Sequence, residues 1–578
     1  MTLKQYIPSL EWLKSYDKEK LKGDLSAGLT VGVMLIPQGM AYSMLAGLPP
    51  IYGLYAATIP LIIYALLGTS RQLAVGPVAM VALLIASGVG NFAEPGSEQF
   101  ITLAIVLALM VGLIQFGMGV FRLGFLVNFL SHPVISGFTS AAALIIGFSQ
   151  LKHLLGMEIP RSHFIHEILY NALINAANIH WATLAIGLSA VAIIIFLKKK
   201  AKKIPGPLVV VILTIIAVYV LHLHDAGVKI VGDVPAGLPS FSIPSFSLEN
   251  LNGLLPIALT ISLIGFMESI AVAKAIQAKH KNYQVDSNQE LIALGAANIF
   301  GAFFKSFPVT GGFSRTAVND QAGAKTGMAS MISAVLLILT LLFLTPLFYF
   351  LPKAVLASVI MVAVFGLVDY KEPIHLWKSD RRDFLMLIVT FVATLSLGVE
   401  MGIGVGVLLS LAMVIYRATY PHIAVLGKIE GTKIFRNIKR FENATQYDDI
   451  LIIRFDAPMF FANTNYFRDK LALCENNKGS SIKLIIIMAD AINDMDSTAV
   501  HAMMDLVDDY KLRNIDMYFS GVTGPVRDTM HKGGLVKHLG EDHFFLYVND
   551  AVNFYNDLKV GGKLIEEHKY AIQTNVES

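Results

Sequence analysis

The chain has 578 residues, 55% hydrophobic and 15% charged, and its mean hydropathy of +0.61 excludes an ordinary soluble globular protein. A formal net charge of +3 gives no basis for nucleic-acid binding, and the single cysteine, Cys474, excludes an internal disulfide framework or a cysteine-rich metal site. Residues 417–578 are about 25% charged against about 11% for residues 1–416, which implies one domain in lipid and one in water.

Residues 1–23 mix Lys4, Glu11, Lys14, Lys18, Glu19, Lys20 and Lys22 with Leu10, Trp12, Leu13 and Tyr16. They read as an amphipathic segment lying on the bilayer and not as a cleavable signal. Apolar segments follow at about 25–44, 51–68, 74–90, 100–120, 133–150, 181–197, 207–224, 253–274, 291–304, 313–324, 328–350, 354–368, 384–399 and 401–416. This makes fourteen spans, the shorter of which cannot cross about 30 Å of hydrocarbon as simple helices. With the N-terminus inside, Lys and Arg in the connecting segments divide 20 inside to 5 outside, the five being Lys152, Arg161, Lys229, Lys305 and Lys353. The excess on one side supports this orientation and places both termini in the cytoplasm.

The polar stretch 225–252, with Pro235, Pro239 and Pro244, divides the spans into two halves of seven, residues 24–232 and 233–425. An odd number per half makes the second enter from the opposite side, the inverted-repeat architecture of secondary transporters, whose substrates bind near the midplane at broken helices. The third span of each half carries a break: Gly76-Pro77 precedes the helical run from Val78, and Pro308 with Gly311-Gly312 precedes Phe313. Two half-helices of opposite sense would point their N-termini at one another, each with about half a positive charge and unpaired N–H groups, an arrangement that attracts an anion. A simple kink is the structural alternative for either break.

Arg315 lies within a turn of the second start, where an unpaired charge is costly. It reads either as part of the anion site or as a snorkelling or carbonyl-paired residue. Glu268 sits about fifteen residues into the first span of the second half, roughly 22 Å along a helix. Intramembrane carboxylates mark proton or cation coupling, and a fixed salt bridge to Arg315 is the compatible alternative. The repeat counterpart of Glu268 is Gln38, whose neutral amide can donate to a substrate oxygen. Tyr42, four residues on, shares its helical face, or is an ordinary core or interfacial aromatic.

The run Pro37-Gln38-Gly39-Met40-Ala41-Tyr42 with its continuation to Tyr55, followed by Gly68-Thr69-Ser70-Arg71, resembles the signature of the sulfate permease (SulP) family, which includes the animal solute carrier 26 anion transporters. The segments Phe266 to Ala275 and Gly312-Phe313-Ser314-Arg315-Thr316 resemble further family motifs, so the similarity covers both halves. The resemblance implies a seven-plus-seven fold with core and gate domains, an elevator-like movement and a homodimer. It also implies that Gln38, Tyr42, the N–H groups around Val78 and Phe313, Ser314 and Arg315 form the anion site, and that Glu268 is the proton-coupling carboxylate of sulfate-transporting members.

In the tail, the β-branched runs Ile450 to Phe455 and Ile482 to Met488 are separated by a helical pattern near 464–475, and Met517 to Phe519 and Phe544 to Val548 follow other helical stretches. The pattern predicts an α/β domain over 430–565, followed by a short tail, 566–578. Its order, and the segment Asp494 to Ala499 opening a helix after a strand, resemble a STAS domain, the C-terminal domain of the same family. Ser497 then matches the position phosphorylated in soluble anti-sigma-factor antagonists, although Asp496 and Ser497 are also ordinary helix-cap residues.

Ala324-Lys325-Thr326 superficially resembles a phosphate loop, but no Gly directly precedes the Lys and no strand precedes the segment, so ATP hydrolysis is unsupported. His222 with His224, and His163 with His166, read as loop polarity and not as metal ligands. Together these readings describe an integral multi-pass membrane protein of the plasma (inner) membrane that is a secondary anion transporter and not an enzyme. It would take up sulfate with protons and use no cofactor, metal or nucleic acid; a cytoplasmic regulatory protein is a candidate partner at the tail. The alternatives are a chloride, bicarbonate or dicarboxylate exchanger, and a membrane-tethered regulator acting through the tail.

Overall fold

The computed structural model describes residues 7–125, 131–159, 164–201, 205–244, 248–281, 283–479 and 482–560, so His163, Arg161, Lys202, Lys203 and the tail 566–578 lie outside the described residues. The chain divides into two compact units, Met1–Ser410 and Leu411–Ser578.

In the first unit, α1 (Ser9–Lys14) precedes α2 (Lys18–Ala46), α3 (Pro50–Tyr55), α4 (Ile59–Leu67), strand β1 (Val75–Gly76) and α5 (Ala79–Gly90). Then come α6 (Glu98–Val120), α7 (His132–Ser149), α8 (Leu151–Leu155), α9 (Ile165–Ile174), α10 (Trp181–Lys200) and α11 (Gly206–Val220). After residues 225–247, α12 (Leu248–His280), α13 (Ser287–Phe303), β2 (Thr310–Gly311), α14 (Phe313–Gln321) and α15 (Met328–Leu339) repeat the pattern of long helices, a two-residue strand and a short helix. The unit closes with α16 (Lys353–Phe365), α17 (Lys371–Ser379), α18 (Arg381–Leu397) and α19 (Val399–Thr419), the last running into the second unit. Every apolar segment predicted from the sequence falls on one or more of these helices. Among the described residues, eight helical segments are long and apolar enough to cross a membrane. Exposed Leu188, Phe196, Ile216 and Val220 on α10 and α11 are side chains for which lipid, not water, is the fitting solvent.

One continuous apolar core runs through the unit from Val31 to Ile403. Small residues bring α6 and α13 close: a Cβ at Gly112 would lie 2.7 Å from the Ile299 nitrogen, and one at Gly295 would lie 2.4 Å from that of Phe116. Only glycine permits that approach of backbones.

The second unit is a sheet of seven strands. Its order is β4 (Phe435–Asn437), β3 (Ile423–Ile429), β6 (Ile450–Phe455), β7 (Leu484–Met488), β8 (Asp516–Ser520), β9 (Phe544–Phe545), with β5 (Ala444–Thr445) also on β3. Strands β6 to β9 pair in parallel and β3 joins β6 antiparallel. Alternation in β6 sends Leu451, Ile453 and Phe455 to one face and Ile450 and Ile452 to the other, so the sheet has a core on each side. The helices Thr464–Lys478 and Ser497–Leu512 cover the first face and Val548–Val560 the second. Strand β3 lies across the predicted edge of the membrane half at 425 and begins before the predicted domain start at 430. Because its run follows α19 after only three residues, no turn-rich linker in the sequence marks the boundary.

Candidate anion-binding site

The two interrupted spans meet. Strands β1 and β2 pair antiparallel, Val75 opposite Gly311 and Gly76 opposite Thr310, so α5 and α14 leave the pair in opposite senses from adjacent starts. This differs in detail from the proline-at-first-turn start expected from the sequence: Pro77 precedes the N-cap Val78, and Pro308 lies upstream of β2. The strand pair is the device that fixes the two starts, and two-residue strands are too short to leave a pattern. Neither N-cap, Val78 or Gly312, supplies a side-chain hydrogen bond to the first turn. The positive ends of both helices are therefore left to a ligand or water.

Arg315 is among the largest fully buried side chains, 2% exposed, in the first turn of α14. Its Nη1 donates to the Pro77 carbonyl at 2.5 Å, while Nε and Nη2 have no hydrogen-bond partner. One nitrogen is thus carbonyl-paired, and two donors of a buried guanidinium remain available. A Cβ at Gly312 would come within 2.8 Å of Nη2, so glycine there leaves room for the guanidinium.

Tyr42 and Glu268 lie close enough to feel the Arg315 charge. Glu268 is part-buried, its Oε2 is enclosed and without a partner, and no direct salt bridge joins it to Arg315. One turn before Tyr42 on α2, the buried Gln38 has an unpartnered Oε1. Val78 is buried at the start of α5. The structure therefore gathers Tyr42, Glu268 and Arg315 beside the two helix starts, with Gln38 one turn away. Phe313 and Ser314 stand in the same first turn as Arg315, and their side chains are exposed.

Several residues that position this cluster were not singled out from the sequence. Ser269, next to Glu268, accepts the Gly311 N–H at 2.8 Å and bonds Thr310 Oγ1 at 2.7 Å, tying α12 to β2. Thr316 accepts the Ala74 N–H at 3.0 Å, and Asn319 donates to the Gln72 carbonyl at 2.8 Å, tying α14 to the segment before β1. Glu290, fully buried on α13, accepts from the Tyr64 hydroxyl at 2.6 Å and from Thr69 N–H, Thr69 Oγ1 and Ser70 N–H at 2.7, 2.6 and 3.0 Å. It holds the loop leading to β1. A small polar residue inside an apolar helix was the signal for Ser269, whereas Thr316 and Asn319 lie on a helix that is mostly polar and do not stand out there.

The weaker motifs resolve as follows. Lys325 and Thr326 both donate their backbone N–H to Asp24 Oδ1, at 2.6 and 3.0 Å, so a carboxylate fills the apparent phosphate loop. His222 and His224 have a carboxylate beside them, since Asp225 lies 3.8 and 3.3 Å from their rings, with His222 and Asp225 largely exposed. His166 stacks near Phe164. In the second unit, Asp496 caps the helix by accepting the Ala499 N–H at 2.8 Å, and Ser497 is exposed at the first helical position.

Residues 21–390 match the model of the sulfate permease family, and residues 443–551 match that of the STAS domain. The chain is 42% identical to sulfate transporter 4.1, chloroplastic, of Arabidopsis thaliana, over 97% of this chain and 84% of that one. It is 35% identical to high affinity sulfate transporter 2 of Stylosanthes hamata, over 95% and 86%. Among solved structures, murine solute carrier 26 family member A9, an anion transporter in the inward-facing state, superposes with a TM-score of 0.88 at 27% identity, covering 95% of this chain and 94% of that one.

Proposed function

From the premise that this chain belongs to the sulfate permease family and is a multi-pass membrane transporter with a C-terminal STAS domain, we propose that it carries sulfate into the cell together with protons. The observation that carries this reading is the buried Arg315, whose two unpartnered nitrogens sit where two uncapped helix N-termini converge. A tetrahedral dianion fits such a site, because several donors and a full positive charge converge in a region where desolvated hydrogen bonds are strong. The names of the plant relatives favour sulfate over other anions.

In this account Gln38, Tyr42 and the first-turn N–H groups of α5 and α14 complete the anion shell, and Glu268 carries the coupling proton. An elevator-like motion would move the cluster across the membrane as a body, in a homodimer whose termini face the cytoplasm. The host membrane is the plasma (inner) membrane, and the STAS domain serves assembly or regulation, with Ser497 accessible to a regulatory protein.

Exchange of chloride, bicarbonate or a dicarboxylate on the same fold is the competing reading. Purified protein in liposomes, challenged with labelled sulfate and a panel of anions with and without an inward proton gradient, separates the two. Gradient-driven sulfate accumulation supports symport, whereas uptake that requires an internal counter-anion supports exchange.

A further inference from the structure

The positive-inside pattern leaves few basic residues on the outer side, and three of the five there, Lys152, Lys229 and Lys353, line one cavity of about 610 Å³. The cavity is assembled from parts distant in the chain. An antiparallel bridge pairs Ile230 with Pro352, Lys353 N–H donates to the Lys229 carbonyl at 3.0 Å, and Val231 N–H donates to the Leu351 carbonyl at 2.8 Å. Two lysines are thereby fixed on adjoining backbones, where like charges repel. Lys152 enters from α8, and Leu155 at the end of that helix accepts the His180 N–H at 3.0 Å.

Among the described residues, Glu158 is the one carboxylate in the lining; it bonds Lys229 at 3.2 Å and is 92% exposed. Among the described lining residues, three ammonium groups stand against one carboxylate. A second cavity, of about 230 Å³, shares Lys152, His153 and Ile159 with the first. It runs along Met44 and Leu45 of α2 and Leu83 to Gly90 of α5, the two helices that bear Tyr42 and follow Val78.

We propose that the Lys152–Lys229–Lys353 cavity is an outer collecting site for a free inorganic oxyanion. It raises the local concentration of the transported dianion and delivers it past Lys152 toward the cleft between α2 and α5. This deepens the transport reading and rests on it. A charged-lined concavity increases the encounter rate of an oppositely charged solute, and added salt abolishes the gain.

The test is sulfate uptake by the full chain, measured in right-side-out vesicles. With Lys229→Gln/Lys353→Gln, KM for external sulfate should rise about threefold to tenfold with the influx kcat unchanged. Raising the concentration of a bulky monovalent salt should slow wild-type uptake at low sulfate much more than uptake by the variant. Lys229→Arg/Lys353→Arg should restore the wild-type behaviour and controls for misfolding. An unchanged external KM or a fall in kcat alone would overturn the proposal. So would an effect present in vesicles containing phosphatidylglycerol and absent in pure phosphatidylcholine, since the cavity would then hold a lipid headgroup. Absence of sulfate transport by the wild type would instead refute the transport reading itself.

Discussion

Arg315 donates from Nη1 to the carbonyl of Pro77 at 2.5 Å, so the start of one half-helix is held by the arginine of the other. The residues are 238 positions apart, one in each half of the chain. The bond fixes the guanidinium with Nε and Nη2 unpartnered, an orientation that has a cost unless a ligand accepts from them.

Gly312→Ala tests whether that orientation matters. The backbone at Gly312 has φ −95° and ψ 128°, which alanine adopts freely, so the added Cβ acts only by pressing on the guanidinium 2.8 Å away. Sulfate affinity, measured by calorimetry on the purified protein, should fall about tenfold, the loss of roughly one charge-assisted hydrogen bond. Thermal stability without sulfate should change little.

Ser269→Ala removes the acceptor of the Gly311 N–H and the partner of Thr310. The buried N–H is left unsatisfied, at a cost of about 1–3 kcal/mol. The variant should unfold at a lower temperature in detergent and bind sulfate more weakly, because β2 loses its anchor to α12. Wild-type stability would show that the staple is dispensable.

Glu268→Gln keeps shape and removes the titrating group. A dianion beside Arg315 and a proton on Glu268 should bind with positive cooperativity, so wild-type uptake should rise as external pH falls. The variant should retain sulfate exchange and lose acceleration by an inward proton gradient. Gradient-driven accumulation by the variant would remove Glu268 from the coupling step and leave it a structural neighbour of Arg315.

In the STAS domain, burial tends to raise the Asp456 carboxyl, but hydrogen bonds from Arg454, at 2.5 and 2.9 Å, and from His422 outweigh it and hold it below its usual value of 3.8. A depressed carboxylate adds stability that is complete well above pH 3.8 and is lost as the pH falls through the lowered folded-state value. The group is partly exposed, so the contribution is under about 1 kcal/mol. Denaturant melts of residues 411–578, a unit with cores on both sheet faces, should show a shallower loss of stability on acidification for Asp456→Asn than for wild type.

The membrane helices were legible because apolar runs of about twenty residues have no other solvent than lipid, and the breaks because Gly76-Pro77 and Gly311-Gly312 interrupt them. Arg315 and Glu268 stood out because isolated charges in such runs are costly. Glu290 did not, since it lies in the first turn of α13 next to a polar loop and looks like ordinary helix-start polarity, yet it is fully buried with four donors. The β1–β2 pair was invisible for a different reason: two residues per strand carry no periodicity, and the paired residues lie 236 (Val75 and Gly311) and 234 (Gly76 and Thr310) positions apart. The predicted boundaries at 425 and 430 cut strand β3, because only Tyr420, Pro421 and His422 separate it from α19.

The central claim is that Arg315 and the paired helix starts form the anion site, and sulfate affinity of the folded Arg315→Ala protein tests it most directly. Removing a charge-assisted contact of roughly 1.5–3 kcal/mol should raise the sulfate dissociation constant about tenfold or more, with the variant still eluting as a monodisperse species and melting cooperatively. A well-folded Arg315→Ala protein that binds sulfate as tightly as wild type would contradict the account.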